Sequence, residues 1–348
     1  MAIRAPRGYK IRAMSTRFGI NGLGRIGRCL FRVAAERPGL LLAAANDIAA
    51  AGPLAGLLRR DSVHGRFAQP LEASGEDALL LAGRPVGLSH FADPAEIPWP
   101  EDLEIVVEAT GKATRRARAA RHLRSPAPHS VLISAVSPDA DFTLCPGINQ
   151  DGYDPRRHQV IASASCTTHC LALLLKVLHE SFGVERALMN EVHSYTANQS
   201  LVDGVNPDPR RGRAAAINIV PTYSAAPAAC EALMPELRGR LRGQATRVPT
   251  PDVALLDLTA ELSRPADDAA VAAAFREAAA GPLRGLLAVS DEPLVSSDFI
   301  GDSHSAIVDA SLIQSVDGRL VKVMAWYDNE WGYAHRLADL LSFLGAER

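Results

Sequence analysis

The sequence has no run of about 18 to 20 uncharged apolar residues in its 348 positions, which excludes a membrane-spanning helix. It also lacks an excess of either charge. With 37 Lys and Arg against 39 Asp and Glu, the formal net charge is -2, and nothing marks the chain as a nucleic-acid wrapper. Its five cysteines (Cys29, Cys145, Cys166, Cys170, Cys230) are odd in number and have no paired spacing. A disulfide framework is therefore not expected, and a reducing, cytoplasmic compartment is. Internal repeats and low-complexity linkers are absent too. The first 16 residues, MAIRAPRGYKIRAMST, have no apolar stretch and so do not read as a secretory signal. Basic and free of acid, they read as an extension before the first strand, with an organellar transit peptide as the alternative and Met14 as a second possible start.

What is present is an ordinary globular balance of 47% apolar and 22% charged residues, in a chain long enough for two cores. The first half alternates short apolar runs with helical segments. Arg17 to Asn21 reads as a strand, followed by a glycine loop, a helix through Ala35 and a second run, Leu40 to Ala45. Further runs are Glu104 to Ala109, Ser130 to Ala135 and Gln159 to Ser165. Near-continuous β-branched runs separated by helices predict a parallel sheet covered on both faces. After Ser165 the texture changes. A dense apolar helix from Cys166 is followed by longer strand-like runs, Ala187 to Thr196, Val253 to Thr259 and Arg319 to Tyr327, which suit a second, mixed sheet. The segment Ala334 to Leu344 reads as an amphipathic helix.

Gly22-x-Gly24-x-x-Gly27 lies directly after the first strand and opens a helix. Gly22 permits a tight turn, Gly24 lets a pyrophosphate approach the backbone, and Gly27 allows close helix–strand packing. Phosphate then sits on the exposed amides at the helix start. Asp47 ends the next strand at about the 20-residue offset of a carboxylate that takes the adenosine ribose hydroxyls. The competing reading of Asp47 is a helix N-cap. With no Arg beside it to accept a 2′-phosphate, Asp47 favours NAD over NADP.

SASCTTHC places Cys166 where a strand gives way to a helix, where free N–H groups and the helix dipole favour a thiolate. Cys170, one turn on, reads as a small buried apolar residue. Cys166, His169 and Cys170 crowd together without a fourth ligand, so no metal is expected. His193 ends a strand-like run within NEVHSYTANQ.

The blocks SASCTTHC, EVHSYT, RRDSVHGRF, TRVPTPDV and WYDNEWGY resemble phosphorylating glyceraldehyde-3-phosphate dehydrogenases, from about residue 17 to 345. The resemblance implies an α/β fold: an N-terminal Rossmann domain, residues 17–165, and a second α+β catalytic domain on a mixed sheet, residues 166–332. The C-terminal helix, about 333–348, would pack back on the first domain. It implies Cys166 as nucleophile and His193 as its base. NAD would meet Gly22, Gly24, Arg25, Ile26, Gly27, Asp47, Thr110, Ser134 and Asn329. The phosphate of glyceraldehyde 3-phosphate would meet Thr196 and Arg247. Inorganic phosphate would meet Ser165, Thr167, Arg211, Ser224 and the backbone at Ala225. A homotetramer without nucleic-acid or membrane partners completes the implied picture. Two alternatives stand beside it: the related erythrose-4-phosphate dehydrogenases, and a weakly catalytic homologue kept for binding or redox sensing.

The chain departs from the family's usual pattern at several points. His169 and Leu173 replace the Asn and Pro of SCTTNCLAP. The usual MTTVH reads Met189-Asn190-Glu191-Val192-His193, which puts Glu191 on the same strand face as His193. From that position Glu191 is expected either to raise the imidazole pKa or to pair with an Arg. In the phosphate pocket Ala225 replaces a Gly and Ala228 a Lys, while Asn198 stands near the substrate phosphate where Thr or Asp is common.

Overall fold

The computed structural model describes residues 15–125 and 127–347. The question of a leader or an extension before the first strand therefore lies almost wholly outside the described residues. The chain forms two compact units. One is residues 15–165 together with 333–347, and the other is residues 166–332.

The first unit is built on a nine-stranded sheet. Its main part runs in the spatial order Arg84–Ser89, Leu40–Asn46, Thr16–Asn21, Ile105–Glu108, Ser130–Ile133 and Val160–Ala162, every neighbouring pair parallel. The inner strands IVVE, SVLI and VIA are buried at every residue, because parallel strands under helices have no wet face. This is the order of a doubly wound dinucleotide-binding sheet. Its switch point lies between Thr16–Asn21 and Ile105–Glu108, where ligands settle beyond the strand ends. The antiparallel strands Ala78–Leu81 and Leu71–Ala73 extend one edge.

A buried polar network holds the strand ends at the switch point. Asn21 Nδ2 donates to Glu108 Oε2 at 2.6 Å, and Glu108 Oε1 accepts from the Thr110 amide at 2.9 Å. His122, fully buried, contacts the same carboxylate at 3.0 Å through Nε2. Trp99 Nε1 donates to His122 Nδ1 at 3.2 Å, so Nε2 is the nitrogen that carries the proton toward Glu108. Burial opposes ionisation of Glu108, but hydrogen bonds from His122, Thr110 and Asn21 prevail and hold its pKa below the usual value. The C-terminal helix Trp331–Ala346 joins this unit from residue 333 onward. Its Tyr333 hydroxyl lies 2.5 Å from Ser163 Oγ, and Asp339 pairs with Arg37.

The second unit centres on a mixed eight-stranded sheet. Val184–Ser194 is its inner strand, parallel to Leu241–Val248 on one side and antiparallel to Ala254–Leu262 on the other. Leu320–Tyr327 follows, antiparallel to Ala254–Leu262. The helix Cys166–Phe182 packs on these strands. It buries Cys170, Leu171, Leu174, Leu175 and Leu178 completely or nearly so. At about 1.5–3 kcal/mol per large apolar side chain, that stripe outweighs the modest helix propensity of the β-branched and His residues at the helix start. The expected elements are present, most with ends shifted by a few residues. The strand expected at Gln159 to Ser165 is only Val160–Ala162, since Ala164 adopts a positive φ of 60° that ends the ladder before the helix.

Candidate active site

The glycine loop of the first unit fits a dinucleotide. Gly22 has φ of +96°, and a side chain there would strike Thr110 at 2.9 Å. A Cβ on Gly27 would lie 2.0 Å from the Gly22 carbonyl oxygen, so the helix Arg25–Ala35 can approach only as glycine. Gly24 is the opposite case: it is exposed and nothing lies within 4 Å of its would-be Cβ, which leaves open space over the first amides of the helix. Those amides have no side-chain cap, so a phosphate is the natural partner for them. Asp47 Oδ2 accepts from the Leu23 amide at 2.7 Å and Oδ1 from Ala49 at 2.9 Å. The carboxylate thus buttresses the glycine loop and does not cap a helix. Thr110 and Ser134 follow the two strands beside it, Ser134 Oγ donating to the Glu108 carbonyl at 3.0 Å. Arg25 pairs with Asp61, and Ile26 is half-buried.

The second unit gathers the other candidate residues. Cys166 is the first residue of its helix, and Sγ lies 3.8 Å from His193 Nε2. His193 Nδ1 sits 2.8 Å from the Ser194 carbonyl oxygen, which can only accept. The proton is therefore on Nδ1, and Nε2 faces the sulfur as a bare acceptor. Burial pushes the imidazole down to about 3, aided by the charge of Arg247. Burial, and then the charge of Glu191, push the thiol up to about 12 against the help of Thr167 and Arg247. The sequence leads one to expect a thiolate, and a Glu191 that either raises the imidazole pKa or pairs with an Arg. The structure instead holds a neutral thiol beside a neutral imidazole, because enclosing either ion costs more than the helix start returns.

Arg247 stands level with His193 on the neighbouring strand. Its guanidinium donates to the Ser194 carbonyl at 3.0 Å and to Thr196 Oγ1 at 3.3 Å, while Thr196 donates to Asn198 at 2.7 Å. A cation and a hydroxyl so arranged suit a phosphate ester. Arg211 donates to Thr222 Oγ1 at 3.0 Å and lies 3.5 Å from Asp208. Ser224 is buried and accepts from the Ala226 amide at 3.3 Å, and Ala225 is exposed beside it. Asn329 Oδ1 accepts from Ser194 Oγ at 2.9 Å, leaving the amide nitrogen to donate elsewhere. Ser165 precedes the nucleophile and ends the first unit.

Two contributors escaped the sequence reading, although both lie in the quoted blocks. Tyr327 places its hydroxyl 2.9 Å from Thr167 Oγ1 and its ring edge-on to His193, with centroids 6.1 Å apart. Ser194 links the base to Asn329. His169 fills the first turn of the nucleophile helix at 2% exposure, a packed position.

Residues 16–116 match the family model of the glyceraldehyde 3-phosphate dehydrogenase NAD binding domain, and residues 165–329 match that of its C-terminal domain. The chain belongs to the glyceraldehyde 3-phosphate dehydrogenase family. It is 46% identical to glyceraldehyde-3-phosphate dehydrogenase of Geobacillus stearothermophilus over 335 residues, 96% of this chain and 99% of that one. It is likewise 46% identical to glyceraldehyde-3-phosphate dehydrogenase 1 of Bacillus subtilis strain 168, over 95% of this chain and 98% of the relative. Against the enzyme of Mycolicibacterium smegmatis the figure is 43%, over 95% and 99%. Family membership gives the α/β fold its functional sense: a Rossmann NAD-binding domain joined to a catalytic domain.

Proposed function

We infer that the chain is an NAD-dependent oxidoreductase that oxidises glyceraldehyde 3-phosphate and passes the acyl group to inorganic phosphate. The observation that carries the reading is the Cys166–His193 pair, with Nε2 deprotonated and aimed at the sulfur. As Cys166 Sγ bonds to the aldehyde carbon, His193 Nε2 takes the thiol proton. The oxyanion formed on the substrate is then stabilised by the Cys166 amide at the helix start. NAD, when bound, supplies the oxidant that turns the resulting hemithioacetal into a thioester. Arg247 and Thr196 hold the substrate's phosphate ester, while Arg211, Thr167 and Ser224, with Ser165, receive inorganic phosphate. Gly22, Gly24, Gly27 and Asp47, with Thr110 and Ser134, form the NAD cradle of the domain 17–165, and Asn329 takes the carboxamide of the nicotinamide.

A net charge of -2 supports a reading without nucleic-acid partners. Among the described residues no helix is long and apolar enough to cross a membrane, and all five thiols are free, which supports a cytoplasmic place. Leu201, Val202, Val205, Ile217 and Ile219 are 69% exposed or more, and such a set of bare apolar side chains supports assembly of copies into a homotetramer. Light scattering at micromolar concentration reads the assembly.

The deciding experiment is NADH formation from glyceraldehyde 3-phosphate with phosphate present or omitted. The expected result is sustained turnover with phosphate and a single burst of about one equivalent without it. Undiminished steady turnover without phosphate would replace phosphorolysis by hydrolysis, the chemistry of the erythrose-4-phosphate alternative.

A further inference from the structure

Glu191 is a departure of this chain that the chemistry above leaves unused. It is two residues before His193, on the same buried face of the strand Val184–Ser194, and only 5% exposed. Its strand neighbours are Ala245 and Leu256, neither of which offers a hydrogen bond from its side chain. Oε2 is buried and makes no hydrogen bond. The polar groups around it are those assigned to inorganic phosphate, together with Arg247 of the substrate-phosphate pair. The Thr167 and Ser224 hydroxyls and the charges of Arg247 and Arg211 all favour its ionised form, while burial opposes that form and wins. Cys166, Cys170 and Tyr327 also feel its charge, so they face it from the nucleophile helix and from Leu320–Tyr327.

We propose that Glu191 is the specificity-determining residue for the acyl acceptor, a proton-operated gate on the inorganic-phosphate pocket. Neutral, its carboxyl donates a hydrogen bond to the entering phosphate. Ionised, it sets a negative charge among the hydroxyls the phosphate needs and keeps the anion out. The proposal rests on the reading of Cys166 as the thioester-forming nucleophile. In the step it controls, a hydrogen phosphate oxygen attacks the thioester carbonyl carbon. The C–O bond forms, the C–S bond breaks, and sulfur leaves with the electron pair. The proton of the hydrogen phosphate returns, by way of His193, to Cys166. Glu191 is unchanged at the end. A further departure fits: with Ala228 in place of the family's usual Lys, the pocket has one donor fewer, and a neutral Glu191 offers one.

The sign follows from the burial. A pKa raised above the ordinary carboxyl value keeps the gate open at low pH, and it closes as pH rises through that pKa. The experiment measures KM for inorganic phosphate across the active pH range for the wild type, Glu191→Gln and Glu191→Thr. Phosphate's own titration is common to all three, so the ratio of wild-type to variant KM isolates the gate. That ratio is expected to climb with pH, reaching about tenfold, the effect of roughly one like-charge contact. Parallel profiles with a constant ratio overturn the gate. Should the Gln variant fail to fold, the Thr variant, with the residue usual in the family, reads the same ratio. The NADH burst of the wild type without phosphate is the separate check. No burst removes the thioester reading itself, whereas a burst with parallel KM profiles removes only the gate.

Discussion

Ser194 Oγ donates to Asn329 Oδ1 across 2.9 Å, so the residue next to the base also orients the carboxamide assigned to the nicotinamide. Ser194→Ala leaves that buried oxygen without its donor. The expected loss is about 1–3 kcal/mol of stability, read as a lower urea midpoint at constant m. An unchanged midpoint would mean that the bond adds nothing.

The base makes a prediction of its own. His193→Asn keeps a polar side chain but removes the basic nitrogen facing Cys166, and should slow the burst by roughly 10²- to 10⁴-fold. Because burial holds the imidazole down to about 3, the wild-type burst rate should show no break from His193 near its ordinary value of 6.5. Stopped-flow bursts from pH 5 to 8, roughly the span over which an ordinary imidazole titrates, test this. A break at 6.5 that vanishes in the variant would contradict it.

Two glycines of one loop should fail in different ways. Gly27→Ala drives a methyl onto the Gly22 carbonyl oxygen and should lower the melting temperature. Gly24→Ala meets nothing within the protein and should melt as the wild type does. It should nonetheless raise the Kd for NAD, since the methyl occupies the approach of the pyrophosphate. Calorimetric titration with NAD beside a melting curve separates the two effects.

The buried Glu108–His122 pair predicts acid sensitivity. Glu108 has a folded pKa below its unfolded value of 4.5, so its contribution is fully present above 4.5 and is lost as pH falls through the folded value. In Glu108→Gln, stability should fall less steeply as pH drops below 4.5 than in the wild type. Glu108→Ala leaves the buried His122 N–H without its acceptor and should cost about 1–3 kcal/mol. Denaturant curves at several pH values provide the comparison.

The parallel half of the fold was legible because its strands carry their own signature: IVVE and SVLI are apolar throughout and leave no alternation to misread. The glycine loop was legible for a similar reason, since each glycine answers a local need. The placement of Glu191 beside His193 also followed from strand alternation alone. What it does there did not, because the groups acting on it come from Thr167, Arg211, Ser224 and Arg247, and no local period reveals those meetings. The same limit hid Trp99–His122–Glu108, Thr167–Tyr327 and Ser194–Asn329, each made by segments that only the tertiary fold brings together.

His193 and Arg247 are opposite one another on adjacent parallel strands. Side chains alternate along a strand, so deleting one residue from either would send the base or the cation to the far side of the sheet. The loops around these strands are free to lengthen or shorten over evolutionary time, but the strands themselves can change only by exchange of one residue for another.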